Sequence, residues 1–250
     1  MKVRMRFTKM GKVRFTSHRD IARVWERVLR RADVPVAYSE GFSPRPKLSF
    51  GLALPTGGES LAEYLDIDVD EGRAVPSLDE LPGRLTEILP EGMESTGLTL
   101  VEPGADSLQH AVVACTWRIE VDGVTPADLA VAAEKALAAE SLVVTRERKG
   151  KPVTDDVRPA LVSLSVLASP SSDGTEVRPE RPAGCVLEAE LATQTRSLRP
   201  SELVRLLDAE GLAGDVRVCR LHQWIEAGGV RAEPVALPDA PAPHAHGRAS

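Results

Sequence analysis

Residues 2–7 read KVRMRF, and residues 16–31 read TSHRDIARVWERVLRR. The first stretch alternates basic residues at even positions with apolar residues at odd positions, which predicts a half-buried strand. The second stretch begins with a capping residue, Thr16 or Ser17, and its apolar residues then recur at intervals of three and four, which predicts an amphipathic helix. A strand and a helix therefore open the chain, and each has a row of basic residues on the side away from the predicted core.

The pattern that follows these two elements predicts a repeated order of strands and helices. Up to about residue 104 the apolar runs and turn residues continue as strand, strand, helix and strand. A similar order recurs after residue 108, with a strand predicted at residues 142–147 and a basic turn directly after it. The order βαββαβ is that of the ferredoxin-like fold. The predicted fold class is therefore α+β, with tandem ferredoxin-like (βαββαβ) repeats and antiparallel sheets.

These patterns also predict the domain boundaries. Residues 1–104 form a predicted N-terminal ferredoxin-like domain with a basic surface, and residues 108–226 form a C-terminal ferredoxin-like domain. Residues 227–250 are rich in Gly, Ala, Pro and His and contain few large apolar residues. That composition predicts a disordered tail.

Charge is distributed unevenly along the 250 residues. The first fifty residues contain 13 Lys and Arg against 4 acidic residues, whereas the remaining two hundred contain 18 against 33. An acidic chain with one strongly basic end is typical of a protein with an anionic partner.

The same composition bears on the compartment in which the protein works. No run approaches the roughly 20 apolar residues that a membrane helix needs, and the N-terminus does not read as a signal peptide. Three widely spaced cysteines, Cys115, Cys185 and Cys219, indicate buried thiols rather than disulfides. We therefore expect a cytoplasmic protein that does not enter a membrane.

Three motifs of the first half resemble those of a bacterial family of unknown function. They are KVRFTSHRD at residues 12–20, YSEGFSPRPKLSFG at residues 38–51 and ESLAEYLDI at residues 59–67, and later runs at residues 149–159 and 197–203 are similar to the family's second half. The family is radical-SAM-associated: its members are similar to a domain fused to, or encoded near, radical S-adenosylmethionine proteins. The resemblance implies a radical S-adenosylmethionine protein as a partner.

Two further expectations accompany this resemblance. The chain lacks the CxxxCxxC motif that would hold the iron–sulfur cluster of a radical enzyme, so we expect no cofactor and no metal site in this protein. Its predicted architecture is also similar to that of the tandem ferredoxin-like RNA-processing proteins of CRISPR systems.

The predicted binding surface has three parts in the first half: the basic strand face, the arginine stripe of the helix and the end of a rigid loop. Guanidinium groups pair bidentately with phosphate, and such contacts make binding salt-dependent. A second basic cluster lies in the turn of the second half. The predicted nucleic-acid-binding residues are Lys2, Arg4, Arg6, Arg19, Arg23, Arg27, Arg30, Arg31, Arg45, Lys47, Arg148, Lys149 and Lys151. The alternatives are that the stripe pairs with the protein's own acidic surface and that the turn is a solvated hairpin tip.

One candidate catalytic set is present in the motifs. His18, Tyr38 and Lys47 would supply a general acid or base and a cation for metal-independent RNA cleavage. The alternative is that His18 only holds the motif loop against the helix. The motif residues are Ser17, His18, Asp20, Ser39, Gly41, Phe42, Pro44 and Ser49.

These observations predict a non-catalytic accessory protein that binds RNA or presents a substrate, associated with a radical S-adenosylmethionine modification system. Two alternatives remain. The first is a metal-independent ribonuclease that uses His18, and the second is a protein–protein adaptor with a basic docking face.

Overall fold

The computed structural model describes residues 1–167, 185–194, 197–208, 211 and 213–236. The chain forms two compact units. The first unit contains residues 1–112 and the described residues from Gln223 onward, and the second contains residues 113–222. Among the described residues, no helix combines the length and the apolar character needed to cross a membrane.

The first unit begins with six elements in the order strand, helix, strand, strand, helix, strand. They are β1 (Lys2–Lys9), α1 (His18–Arg31), β2 (Leu48–Phe50), β3 (Glu59–Asp68), α2 (Leu81–Thr86) and β4 (Ser95–Leu100). The strands lie in the order β4-β1-β3-β2, and every neighbouring pair is antiparallel. The short helix α3 (Leu108–Ala111) follows them.

The core of the first unit lies between this sheet and its helices. Val3, Met5 and Phe7 of β1 point into it, and the Phe7 ring meets the Trp25 ring edge-on at 5.0 Å. The Ser17 side chain caps α1 by accepting a hydrogen bond from the Asp20 backbone N–H. The apolar residues Ile21, Trp25, Val28 and Leu29 of the helix are buried, and Val24 is partly buried against them. The strand and the helix predicted for the start of the chain are therefore confirmed.

The other face of the same sheet differs from the prediction. Arg4 and Arg6 are only 6% and 4% exposed, so they do not form an open row of cations. The Arg4 guanidinium donates two hydrogen bonds to the Asp66 carboxylate, at 2.7 and 2.9 Å, and Arg6 Nη2 lies 3.4 Å from Glu233 Oε1. These arginines are buried because the chain covers this face, where Tyr64 packs with residues from distant parts of the first unit.

The second unit repeats the element order with one insertion. Its elements are β5 (Val112–Val121), α4 (Pro126–Ala138), β6 (Val143–Arg148), β7 (Lys151–Asp156), β8 (Leu161–Leu167), β9 (Cys185–Ala192), α5 (Pro200–Leu207) and β10 (Val216–Ala227), the last of which continues past residue 222 into the first unit. The sheet order is β10-β5-β9-β8, while β6 and β7 form a separate two-stranded sheet. The strand predicted at residues 142–147 therefore belongs to an inserted hairpin. In chain order, β8 is the second strand of the main sheet of this unit.

The described structure is a mixed α+β fold with mostly antiparallel strands. It differs from the sequence interpretation after residue 226, where we expected a disordered tail. A two-glycine turn at residues 228–229 leads into β11 (Val230–Ala232), which pairs with β10, and Val235 is buried. Residues 237–250, the rest of the predicted tail, lie outside the described residues.

The cysteine prediction is met in part. Cys115 and Cys185 are buried and Cys219 is half-buried, and within the described part of the chain no disulfide joins them.

The buried ion pair generates a stability prediction. The substitution Asp66→Asn keeps the shape of the side chain but leaves the Arg4 charge buried without its carboxylate, so we expect the free energy of unfolding to fall by about 3–5 kcal/mol. Urea unfolding measures this change. Asp68→Asn is the matched control two residues along β3, because Asp68 meets the half-exposed Lys2 at 3.9 Å; it is expected to cost less than about 1 kcal/mol. Equal losses in the two variants would show that the Arg4 pair is not buried in solution.

Candidate nucleic-acid interface

The outer face of α1 carries the arginine stripe. Its members are Arg19, Arg23, Arg27, Arg30 and Arg31, and all five are exposed. Residues four apart lie on the same side of a helix, and the buried side chains of α1 occupy the opposite side. Arg23 pairs with Asp20 at 3.0 Å. Arg27, Arg30 and Arg31 form no ion pair with any residue that the structure describes. The protein's own acidic residues therefore leave the second half of the stripe available.

The motif loop, residues 38–47 between α1 and β2, is closed at its base by hydrogen bonds. The Ser39 N–H donates to the Arg45 carbonyl at 2.9 Å, and the Arg45 N–H donates to Ser39 Oγ at 3.0 Å. Gly41 has φ +118°, a conformation that side chains rarely tolerate. The loop presents Phe42, which is fully exposed, and Tyr38, which is 51% exposed. Two large aromatic side chains are thus held out of the core beside exposed basic residues.

A cleft of about 160 Å³ lies between the motif loop and α1. Its lining includes Leu29, Arg30 and Asp33 from the end of α1, Tyr38 and Pro46 from the loop, and Arg73. Arg73 was absent from the sequence prediction. It is the only Lys or Arg between residues 48 and 83, and no local pattern connects it with α1. The structure therefore brings one predicted stripe residue, Arg30, one candidate catalytic residue, Tyr38, and one unpredicted cation to the same cleft.

The remaining predicted binding residues lie on the face of β1, at the end of the motif loop and at the tip of the β6–β7 hairpin. Lys2 is half-exposed near Asp68, whereas Arg4 and Arg6 are buried, so the strand face does not contribute to an open surface. Arg45 and Lys47 are exposed at the end of the loop. Together with the stripe, these two complete the cationic surface of the first unit.

The second basic cluster lies at the tip of the β6–β7 hairpin. Arg148, Lys149 and Lys151 are exposed there, and the turn has positive φ at Lys149 and Gly150, as tight hairpins require. Arg148 lies 3.8 Å from Asp155. Lys149 and Lys151 form no ion pair with a described residue. The tip is a separate basic site in the second unit.

The hairpin stem is tied to α5 by Arg146. Its guanidinium donates two hydrogen bonds of 2.8 Å to the Glu202 carboxylate and one of 2.6 Å to the Ser197 carbonyl. Arg146 is thereby engaged inside the second unit, which separates it from the exposed cations of the tip.

The candidate catalytic set is not assembled. His18 is exposed at the start of α1 and meets the Phe50 ring edge-on at 5.0 Å. It lines a second cavity, of about 20 Å³, which has room for roughly one water molecule. Tyr38 lines the other cavity, near the opposite end of α1. Lys47 is exposed beside the loop. The contact with Phe50 fits the reading in which His18 holds the second motif against the helix.

A different lysine lies near His18. Lys9 shares the small cavity and is buried, and its Nζ donates to the carbonyls of Arg14 and Thr16 at 3.2 and 2.9 Å. Burial lowers the pKa of the Lys9 ammonium, and the negative charge of Glu63 partly opposes this effect. Sequence reasoning missed Lys9 because the predicted strand ended at Phe7, whereas β1 continues to Lys9.

The other motif residues have mainly structural contacts. Ser17 donates a hydrogen bond of 2.7 Å from its hydroxyl to the Asp20 carboxylate in addition to capping the helix. Ser49 lies opposite Asp66 in the β2–β3 pair, and Pro44 is exposed in the loop. Among the described residues, no group of three or more His, Cys, Asp or Glu side chains is placed to hold a metal ion.

The fold and this surface define a class of protein: a two-unit α+β protein with an arginine-rich helix face beside an aromatic loop. The chain belongs to the family described as "Uncharacterized protein conserved in bacteria (DUF2344)", whose model matches residues 2–200. The match spans the stripe, the motif loop, the cleft and the hairpin. A search of curated proteins found no match to this chain.

The helix cap generates a pH prediction. The Ser17 hydrogen bond is the main cause that lowers the pKa of Asp20 below its usual 3.8, and Arg23 adds to it. A lowered carboxyl pKa contributes stability that is present above pH 3.8 and is lost as the pH falls through the folded-state pKa. We therefore expect Ser17→Ala to raise the pKa of Asp20, as followed by the carboxyl carbon shift in an NMR titration. Ser39→Ala, in the motif loop, is the control. An unchanged Asp20 pKa in Ser17→Ala would contradict the hydrogen bond from the Ser17 hydroxyl to the Asp20 carboxylate.

Proposed function

We propose that this protein binds single-stranded RNA through the α1 stripe and the motif loop, and that it acts as a non-catalytic accessory that presents the RNA. The observation that supports the proposal is the combination of unpaired arginines and exposed aromatic rings in one unit. Arg27, Arg30 and Arg31 have no ion-pair partner among the described residues. Tyr38, which lines the cleft with Arg30, and Phe42 in the motif loop are both exposed. Proteins that bind single strands combine cationic grooves with rings on which bases stack.

The length of the stripe suits an extended polyanion. From Arg19 to Arg31 the helix rises by roughly 18 Å at 1.5 Å per residue. Each guanidinium that contacts a phosphate releases counterions from the RNA. This release favours binding of RNA of any sequence. The aromatic loop favours a single strand over a duplex, because the bases of a duplex are already stacked.

We propose further that both units are ferredoxin-like. Each places its four main strands in the spatial order fourth, first, third, second, and the second unit reaches this order once the β6–β7 hairpin is set aside. Some RNA-binding domains with a four-stranded sheet bind bases on the open sheet face. In the first unit that face is covered and its arginines are paired. The proposed RNA surface is therefore on the helix side.

The link to radical S-adenosylmethionine chemistry is part of the same proposal, and it rests on the family resemblance of the sequence motifs. In this view the protein holds an RNA for a modifying enzyme that works in the cytoplasm. Affinity purification of the tagged chain with and without nuclease treatment tests this association. Co-purification of a radical S-adenosylmethionine protein supports the link, and its absence in both samples contradicts it.

RNA binding itself is tested by fluorescence anisotropy of a labelled U-rich 12-mer over a range of salt concentrations. We expect affinity to fall steeply with salt, with a slope of about 0.7 per phosphate contact in a log–log plot. The double variant Arg27→Gln/Arg31→Gln removes two cations, so its slope should be shallower by about 1.4 and its affinity lower at every salt concentration.

The matched control is Arg205→Gln. Arg205 is also exposed on a helix, α5, and also has no ion pair with a described residue, but it lies outside the predicted surface. The Arg205→Gln variant should bind the labelled RNA with the same affinity and salt dependence as the unaltered protein. An absence of binding at low salt, or equal losses in the control and the double variant, would exclude the proposed surface. Cleavage of the oligomer that His18→Ala abolishes would instead support the ribonuclease alternative.

A further inference from the structure

The cleft between α1 and the motif loop has an apolar floor and a charged rim. Leu29 and Val34 are buried at 1% and 7% exposure, and Val36 and Leu48 extend the same floor. The volume is about 160 Å³. This is well below the roughly 300–1,000 Å³ of clefts that enclose a whole drug-sized ligand. The cleft therefore fits one small, flat group rather than a complete nucleotide.

The charged side chains of the rim are of both signs and are not paired with one another. Glu26 is half-buried, and Arg30, Asp33 and Arg73 are exposed. None of the four forms an ion pair with any other residue in the described part of the chain. A site for phosphate alone would be lined by cations. A rim that offers carboxylate acceptors and guanidinium donors suits a neutral ring that has both N–H groups and acceptor atoms.

We propose that this cleft binds an unpaired guanine base of the RNA; the inference rests on the proposed RNA-binding function. The base lies on the apolar floor against the Tyr38 ring. The Glu26 carboxylate accepts hydrogen bonds from the guanine N1–H and N2–H groups. A guanidinium from Arg30 or Arg73 donates to O6 and N7, the arginine–guanine pairing that is common in nucleic-acid recognition.

The choice of guanine follows from its edges. Guanine has two adjacent N–H donors, which match the two oxygens of one carboxylate, and two adjacent acceptors, which match one guanidinium. Adenine and cytosine present a single amino group, and uracil presents a single N–H group between two carbonyls. The neighbouring residues of the strand then lie against the stripe, where Arg27 and Arg31 meet phosphates.

The experiment uses the full chain and four labelled oligomers. Each is a uridine 12-mer in which one central residue is guanosine, inosine, adenosine or cytidine, and an all-uridine 12-mer gives the baseline. We expect the guanosine oligomer to bind about tenfold more tightly than the all-uridine oligomer. Inosine lacks the 2-amino group, so it should keep only part of this preference.

Variants of the rim separate base recognition from general RNA binding. Glu26→Gln keeps the size of the side chain but replaces one carboxylate oxygen by an N–H donor, so it should remove most of the guanosine preference and leave the all-uridine affinity within about twofold. Glu134→Gln, an exposed acid on α4, is the control and should keep the preference. Tyr38→Ala should weaken the guanosine oligomer more than Tyr38→Phe does, because phenylalanine keeps the ring.

The outcomes distinguish the two proposals. Salt-dependent binding with equal affinity for all five oligomers overturns the guanine site and leaves the proposed function intact. A guanosine preference that survives Glu26→Gln also overturns it, because the preference then arises elsewhere. No binding of any oligomer at low salt overturns the proposed function, and the guanine site with it.

Discussion

The buried contact between Arg4 and Asp66 is the constraint on which the first unit depends. A charge that leaves water must be paired and hydrogen-bonded, and the register of β1 against β3 sets these two residues directly opposite each other. A slip of one residue would separate the charges and turn every side chain of β1 to the other face of the sheet. The pair therefore fixes which residues face α1 and which lie under the covered side of the sheet.

The same constraint determines where a partner has access to the first unit. Because Arg4 and Arg6 pair with Asp66 and Glu233, these two cations of β1 are neutralised within the fold. The arginines of α1 have a different environment, since the apolar side of that helix faces the core and its basic side faces water. The fold thus divides the basic residues of one sequence segment into a structural set in the strand and an available set on the helix.

Sequence periodicity predicted β1 and α1 correctly, because each has a strong period that matches one secondary structure. It did not predict the burial of Arg6. Alternation shows which residues share a face but not what covers that face, and Glu233 lies 227 positions away. The hairpin has a similar explanation. A run such as residues 142–147 indicates a strand but does not show which strand pairs with it, and β6 pairs with β7 in a separate two-stranded sheet. Arg73 lines the cleft because the fold brings it next to α1 and the motif loop, which are distant from it in sequence. No local sequence pattern could therefore have identified it.

The net charge of the protein limits how an anionic partner can be recognised. The chain carries a formal charge of −6, and charges in water are screened over about 8 Å at physiological salt. Beyond that distance neither the stripe nor the acidic majority acts strongly on a polyanion, so in the proposed function the stripe would attract an RNA strand only where the strand comes close to α1. Long-range steering would therefore be weak, and the proposed RNA binding would take its selectivity from short-range contacts. A cleft that combines an apolar floor, a ring and charges of both signs supplies such contacts, which a row of arginines alone does not.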